Sequence, residues 1–183
     1  MRNNEVRVSV RNPDKSQRNG LMISIPILLS TGHRLINALL METQAAFDEG
    51  AWAAAQGSFA EFALRLETHM SAEESVLFPR IAAHSPDSDA ELAQCRREHE
   101  NLRAQIQTAA TAVDTRERAR CYELMAQLSD ALSRHFRDEE KRLYPFAETM
   151  DEDDLDALAR ALDRPGDEGG PRDGVLPADS GVH

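Results

Sequence analysis

At 183 residues the chain suits one domain with a core of its own, and its net charge of −11 argues against nucleic acid as a partner. Two cysteines provide no disulfide framework and favour a reducing compartment. Aromatic residues make up only 5% of the chain, and residues 21–163 are rich in the helix formers Ala, Leu, Glu and Arg, which argues against a substantial sheet.

The two ends of the sequence differ in composition from its middle. Residues 1–20 are polar and unpatterned, and residues 164–183 are rich in Gly, Pro and Asp. We therefore expect a loose N-terminal arm and a disordered C-terminal tail around a bundle formed by residues 21–163. The apolar run at residues 21–29 is too short to cross a bilayer and has no signal-peptide cleavage site after it, so we expect a cytoplasmic protein without membrane contact.

Helical apolar patterns divide the middle of the chain into four long segments and a short fifth one. The predicted helices cover residues 26–47, 52–79 or one turn beyond, 89–113, 114–145 and 151–162. Pro26 is a favoured first-turn residue, and the patterns Ser88-x-x-Glu91 and Asp114-x-x-Glu117 each indicate a capping box. Short connections make consecutive helices antiparallel, so the sequence predicts an all-α, up-down-up-down four-helix bundle with a short C-terminal fifth helix.

Each long helix carries an apolar stripe that a histidine interrupts once. The stripes are Leu29, Ile36, Leu40 and Phe47; Phe59, Phe62, Leu66, Met70 and Leu77; Leu92, Cys95, Leu102 and Ile106; and Leu124, Leu128, Leu132 and Leu143. The interrupting histidines are His33, His69, His99 and His135. A single histidine on an apolar face is usually a hydrogen-bonded core residue, but four of them on four inward faces indicate a shared site.

The second and fourth helices end in the same motif. Residues 69–79 read HMSAEESVLFP and residues 135–145 read HFRDEEKRLYP, and both fit H-x-x-x-E-E-x-x-L-[FY]-P. The two segments are related by a constant offset in residue number, which carries His69 onto His135. The same offset carries His33 onto His99. The bundle is therefore predicted to be one helical hairpin used twice, with approximate two-fold symmetry. Two residues related by this offset are called repeat mates below.

The spacing within the motif places a carboxylate beside each histidine. Residues four apart on a helix are separated by about 40° of rotation and about 6 Å of rise, so Glu73 shares the inward face of His69, and Glu139 that of His135. Two carboxylates buried among Leu and Phe would cost several kcal/mol each without a positive charge between them, and no Lys or Arg shares their stripe. A pair of metal ions supplies that charge, and imidazole with carboxylate suits iron.

The duplicated motif and the four histidines resemble the hemerythrin-like, or HHE cation-binding, family over residues 26 to about 148. The resemblance implies a four-helix bundle with a non-haem di-iron centre, in which an oxo or hydroxo bridge joins two iron ions. The ligands that it implies are His33 and His69 for one iron, His99 and His135 for the other, and Glu73 and Glu139 as bridges.

The sequence departs from the oxygen-carrying hemerythrins at two places. The carriers have a fifth histidine one turn from the third-helix ligand, where this chain has Cys95 on one side and Arg103 on the other. Their fourth-helix carboxylate is an aspartate one residue further along, at the position of Glu140, whereas the repeat favours Glu139. The four-His, two-Glu set is more similar to bacterial di-iron proteins associated with repair of iron centres after nitrosative and oxidative stress. Those proteins often carry an N-terminal cysteine, and residues 1–20 have none.

Other residues near the motifs favour structural interpretations. Cys95 could be a ligand, but a buried cysteine is more often inert. Tyr144 has a phenylalanine as its repeat mate, which favours packing over a redox role. Glu74 and Glu140 are expected on the helix surface or as outer partners of the ligands, and His84 lies past the motif in a polar loop, where it is a poor ligand.

Three functions are compatible with such a site. The first is binding or reduction of a small ligand (oxygen, nitric oxide or peroxide) in oxidative or nitrosative stress, with or without turnover as a di-iron oxidoreductase. The others are a non-enzymatic sensor or carrier and an iron store or donor. Two histidines, two bridging carboxylate oxygens and an oxo or hydroxo bridge give each iron five ligands and leave a position open, which favours reactive chemistry.

Overall fold

The computed structural model describes residues 24–147 and 150–163, so the arm expected at 1–20 and the tail expected at 164–183 lie outside the described residues. The helical elements are α1 (Ile25–Asp48), α2 (Trp52–Ala72), a π-helical segment (Glu73–Leu77), α3 (Phe78–His84), a 3-10 turn (Pro86–Ser88), α4 (Asp89–Asp114), α5 (Arg118–Arg142), α6 (Tyr144–Ala147) and α7 (Glu152–Asp163). No strand occurs in residues 24–147 and 150–163, and no helix there is both long and apolar enough to cross a membrane. The predicted all-α class is confirmed.

Four antiparallel helices form the body of the fold. α2, the π-helical segment and α3 form a continuous second helix, α1 packs against α2 and α5, and α4 packs against α5 and α2. This arrangement is the predicted up-down-up-down bundle. α7 packs against α2 and the π-helical segment, as the short fifth helix of the prediction.

The two hairpin turns have the same backbone geometry. Gly50 has a φ of 72° and its repeat mate Arg116 has a φ of 57°, both in the left-handed region that favours glycine. In each turn the next residue, Ala51 or Glu117, donates its N–H to the carbonyl five residues earlier, at 2.9 and 3.0 Å. This equivalence supports a hairpin that is used twice.

Both predicted capping boxes are wrong. Ser88 precedes α4, but its Oγ donates to the carbonyl of Ser85 at 2.6 Å instead of accepting a helix N–H. Asp114 is the last residue of α4, and α5 begins only after Glu117, whose side chain makes no capping hydrogen bond. The left-handed turn at Arg116 lies between the end of α4 and the start of α5. Asp114 therefore does not stand at the start of a helix, although the sequence pattern suggests one.

The prolines that close the two motifs have different surroundings. The second helix continues past Pro79 to His84, which confirms the further turn that the sequence allowed. α5 ends at Arg142, three residues earlier than predicted, and Pro145 lies in the separate short helix α6. Among the described residues, a π-helical segment occurs only within the first motif, and such segments are frequent at functional sites. The two repeats therefore differ in backbone at the level of their glutamates, since Glu73 lies in the π-helical segment and Glu139 in α5.

The apolar stripes form two buried clusters. The larger cluster extends toward the hairpin turns and includes Ile36, Phe47, Leu66, Leu102, Val113 and Leu132. The smaller cluster lies at the other end of the bundle and includes Leu29, Leu77, Leu92, Cys95, Leu143 and Leu158. All predicted stripe residues are buried except Ile106, which is partly buried against the larger cluster. The level of the four histidines lies between these clusters.

Candidate metal centre

Six polar side chains occupy the level between the two apolar clusters. They are His33 of α1, His69 of α2, Glu73 of the π-helical segment, His99 of α4, and His135 and Glu139 of α5. None exposes more than 5% of its side chain. They converge because each lies on the inward stripe of its helix, and the i, i+4 spacing stacks each glutamate beside its histidine. The structure thus brings together the six residues that the sequence pointed to.

The atoms able to bind a metal form two groups that share both carboxylates. One group contains His33 and His69, the other contains His99 and His135, and both contain the two glutamates. Within each group, one such atom from every residue lies within 4.8 Å of all the others. The sequence repeat carries the first of these histidine pairs onto the second, so each hairpin supplies one pair.

Glu73 directs one carboxylate oxygen to each group. Its Oε1 lies 3.1 Å from Nε2 of His69, and its Oε2 lies 3.5 Å from Nε2 of His99. Two ligands that are each about 2.1 Å from one metal ion lie about 3.0 Å apart at a right angle and about 3.4 Å apart at a tetrahedral angle. The spacing around Glu73 therefore suits a metal ion on each side of its carboxylate.

Glu139 has the same relation to the two groups from the opposite side of the bundle. Its Oε2 lies 3.4 Å from Nε2 of His33, and its Oε1 lies 3.4 Å from Nε2 of His135 and 3.6 Å from Nε2 of His99. These separations exceed the usual hydrogen-bond length of about 2.7–3.2 Å. They fit atoms that face a common ion better than atoms that bond to one another.

The buried polar atoms of this level lack hydrogen-bond partners. Ten buried side-chain nitrogen or oxygen atoms have no partner in the part of the chain that the structure describes, and nine of them belong to the six residues. Each such atom costs about 1–3 kcal/mol when it stays unpaired, and native proteins contain few of them. Their concentration at one level, together with a donor set of imidazoles and carboxylates, fits a site for metal ions.

The closeness of the histidines and glutamates shifts the pKa values of both. Burial lowers the pKa of His99, but the nearby carboxylates of Glu139, Glu73 and Glu74 outweigh burial and raise that pKa to about 11. Burial would raise the pKa of Glu73, but His69 and His99 hold it well below its usual range. The carboxylates therefore stay ionised, and without a metal ion the positive charge that offsets them is carried by the imidazoles.

Two histidines also have a carboxylate on their outer nitrogen. Nδ1 of His99 lies 2.6 Å from Oε1 of Glu74, and Nδ1 of His135 lies 3.0 Å from Oε2 of Glu98. An ionised carboxylate only accepts hydrogen bonds, so each Nδ1 carries a hydrogen, and in the neutral imidazole the Nε2 lone pair faces the centre. Metal-binding histidines are commonly oriented in this way. Glu74 is thus an outer partner, one of the two roles expected for it.

Arg103 does not enter the centre, although it stands one turn from His99. Its guanidinium donates to Glu67 at 2.9 Å and to Glu74 at 2.9 Å, and its side chain is 29% exposed. The arginine therefore holds the carboxylate that orients His99 and leaves the ion-facing side of the imidazole free.

The remaining residues noted in the sequence lie outside the two groups. Cys95 belongs to the smaller apolar cluster, and burial raises the pKa of its thiol to about 12, which supports the inert interpretation. The hydroxyl of Tyr144 lies 3.2 Å from Oγ of Ser30. His84 is exposed, with Nδ1 2.8 Å from a backbone carbonyl, and Glu140 is half-exposed.

Sequence reasoning missed two residues at this level, Glu98 and Gly32, although they are repeat mates. Glu98 contacts His135, whereas a Cβ atom added to Gly32 would lie 2.9 Å from Nδ1 of His69. A glycine inside an otherwise strong helix pattern was the available signal for a close approach. Glu98 gave no such signal, because its contact with His135 depends on how α4 and α5 are rotated against each other.

Two surface grooves reach the centre. One of about 490 Å³ between α1 and α5 reaches His33, and one of about 230 Å³ between α4 and α5 reaches His135. The ring of Phe136 stacks on His33 within the larger groove, with centroids 3.9 Å apart. A small ligand could thus approach the buried level from the His33 side without unfolding the bundle.

Comparison with known families gives one match. The family model described as the hemerythrin HHE cation binding domain matches residues 27–147 and, a second time, residues 95–177. The first match covers more than half of the chain and includes all six residues of the buried level. No curated protein and no solved structure matches the chain significantly.

Proposed function

Because the chain belongs to the hemerythrin HHE cation-binding family, we propose that its buried level holds two iron ions and that the protein binds or reduces small ligands such as oxygen, nitric oxide or peroxide. The observation that carries the proposal is that both buried carboxylates are shared between the two histidine pairs. A shared carboxylate with one oxygen toward each side is the natural bridge between two cations.

The proposed ligands follow from the unpaired atoms. They are His33 and His69 for one ion, His99 and His135 for the other, and Glu73 and Glu139 as bridges. Four imidazoles and two carboxylates, with no thiolate in either group of described residues, suit iron. The two negative charges of the bridges partly offset the charge of the ions and lower the free energy of burying them.

The number of protein ligands at each proposed ion favours reaction with small molecules over simple oxygen carriage. Two nitrogens and one oxygen from each bridge give each ion four protein ligands, which leaves positions for small ligands on both. The places where a fifth histidine would stand hold Cys95, buried in the apolar cluster, and Arg103, paired with two glutamates. If two ferrous ions were bound, they would be able to supply two electrons to a small ligand.

The protein contributes position and shielding. The two apolar clusters above and below the level exclude water from the ions, which strengthens every electrostatic contact within the site. The groove at His33 admits a small ligand, and Phe136 restricts its width. Oxidative or nitrosative stress is the setting in which such reactivity is useful.

Stopped-flow mixing tests this proposal. Protein loaded anaerobically with ferrous iron is mixed with oxygen or with nitric oxide, and the optical spectrum is followed. We expect rapid oxidation by oxygen that flushing with argon does not reverse, and a distinct spectral change with nitric oxide. A spectral change that cycles reversibly between oxygen and argon would make the protein a carrier and refute the proposed reactivity.

A further inference from the structure

The duplicated hairpin predicts equal surroundings for the two histidine pairs, but the outer partners of the pairs differ. In the pair formed by His99 and His135, both Nδ1 atoms donate to carboxylates, those of Glu74 and Glu98. These contacts fix the orientation of both rings and make their Nε2 atoms stronger donors to a metal ion.

The other pair has no equivalent contacts among the described residues. Nδ1 of His33 has no hydrogen-bond partner there, and Oε1 of Glu140 lies 3.9 Å from it, too far for a hydrogen bond. Nδ1 of His69 has no hydrogen-bond partner in the same part of the chain. The position that would supply one is occupied by Gly32, the repeat mate of Glu98, and a glycine has no side chain to offer.

The carboxylate on His99 is itself held in place, and its repeat mate is not. Arg103 bonds to Glu74 and, through its other nitrogens, to Glu67 at 2.9 and 3.0 Å. The repeat mate of Arg103 is Asn37, which lines the larger groove, and the repeat mate of Glu74 is Glu140, which is 49% exposed. The half with His99 thus has a connected chain of polar side chains beside its imidazole, whereas the half with His33 faces the larger of the two grooves.

The carboxylate on His135 is also held. Nε2 of Gln94 donates to Oε1 of Glu98 at 2.8 Å, one turn earlier on α4. The repeat mate of Gln94 is Leu28, so this support is also absent from the first hairpin.

The loss of one outer partner lowers metal affinity about 10- to 100-fold in known metal sites. One position has two such partners and the other has none among the described residues. Given the two-ion site proposed above, we propose that the two positions differ in affinity and order of filling. The His99–His135 position fills first and holds its ion tightly; the His33–His69 position fills second and exchanges its ion through the larger groove. Glu74 and Glu98 are the positioning residues that set this order.

Anaerobic titration of the metal-free protein with ferrous iron against a competing chelator tests the order. We expect two binding steps, with the first tighter by more than about tenfold. Glu74→Gln and Glu98→Gln should each weaken the first step by about 10- to 100-fold, while the second step changes little. Glu100→Gln, an exposed glutamate on the same helix as Glu98, serves as the control and should leave both steps unchanged.

Histidine variants identify which position is the tight one. His69→Ala should keep one ion at the first-step affinity of the unmodified protein, whereas His135→Ala should abolish that step. Circular dichroism confirms that each variant is folded. Two equal steps in the unmodified protein, or retention of the tight step by His135→Ala, would overturn the inference about order. A folded unmodified protein that binds fewer than two ions would instead refute the proposed function.

Discussion

Gly32 of α1 lies directly against the imidazole of His69. A Cβ atom at position 32 would be 2.9 Å from Nδ1 and 3.1 Å from Cε1 of that ring, closer than ordinary van der Waals contact allows. Glycine inside a helix lowers stability by about 0.5–1 kcal/mol relative to alanine. This glycine therefore costs the helix some stability and provides room for a histidine of the buried level.

Gly32→Ala should accordingly behave unlike an ordinary helix substitution. We expect weaker iron retention at the His33–His69 position, because the added methyl group displaces the His69 ring. Gly57→Ala is the matched control, since nothing lies within 4 Å of its added Cβ, and it should raise the unfolding free energy by about 0.5–1 kcal/mol. Iron content and thermal unfolding of both variants measure the effect; equal gains in stability with unchanged iron would contradict the close contact.

The bridging glutamates should be far more sensitive than their neighbour. Glu73→Gln or Glu139→Gln removes a buried charge that faces both proposed ion positions, and we expect a loss above about 3 kcal/mol in the unfolding free energy of the iron-loaded protein. Glu140→Gln changes a half-exposed side chain and should cost below about 1 kcal/mol. Chemical unfolding with metal analysis measures this. Greater sensitivity at Glu140 than at Glu139 would mean that α5 is rotated from the position described.

The histidines outside the buried level should be dispensable. His84 is exposed and contacts only a backbone carbonyl through Nδ1, so His84→Ala should leave the iron content and the unfolding temperature unchanged. His99→Ala removes an imidazole that faces both Glu73 and Glu139 and should lower the iron content sharply. Iron analysis of the two purified variants makes the comparison, and loss of iron from the His84 variant would show that the assignment of ligands is wrong.

Phe136 should control access to the centre. Its ring stacks on His33 at an interplanar angle of 11° and lines the larger groove. Phe136→Leu should lower the unfolding free energy by about 0.5–3 kcal/mol and should speed removal of iron by a chelator. Phe59→Leu changes a buried phenylalanine of the larger cluster and should destabilise comparably without faster iron loss. Equal rates of iron removal in the two variants would show that Phe136 does not control access to the centre.

The buried level was predictable because it rests on regular features. Long apolar periodicity places His33 and His99 on inward faces, and the i, i+4 spacing then fixes Glu73 and Glu139 beside their histidines. The buried apolar residues before and after each histidine fix how its helix is rotated about its own axis. A polar residue on such a stripe must therefore meet its counterparts from the other helices.

What was missed depends on side-chain reach and on local turn geometry. Glu98 and Arg103 act through long side chains that cross between helices, and no spacing rule says which partner such a chain meets. The left-handed residue in the turn after α4 is Arg116 and not glycine, so the sequence lacks the glycine that usually marks the end of a helix. Asp114 and Glu117 match the pattern of a helix start, although α4 ends at Asp114 and α5 begins only at Arg118.

Iron analysis with Mössbauer spectroscopy tests the central claim most directly. The metal-free protein is loaded anaerobically with ferrous iron, freed of excess metal, and then oxidised. We predict two irons per chain that are magnetically coupled after oxidation, because carboxylates shared between two ions would hold them about 3.5–4 Å apart. A folded protein that retains one iron or none per chain, or two irons without coupling, would contradict a bridged pair between the histidines.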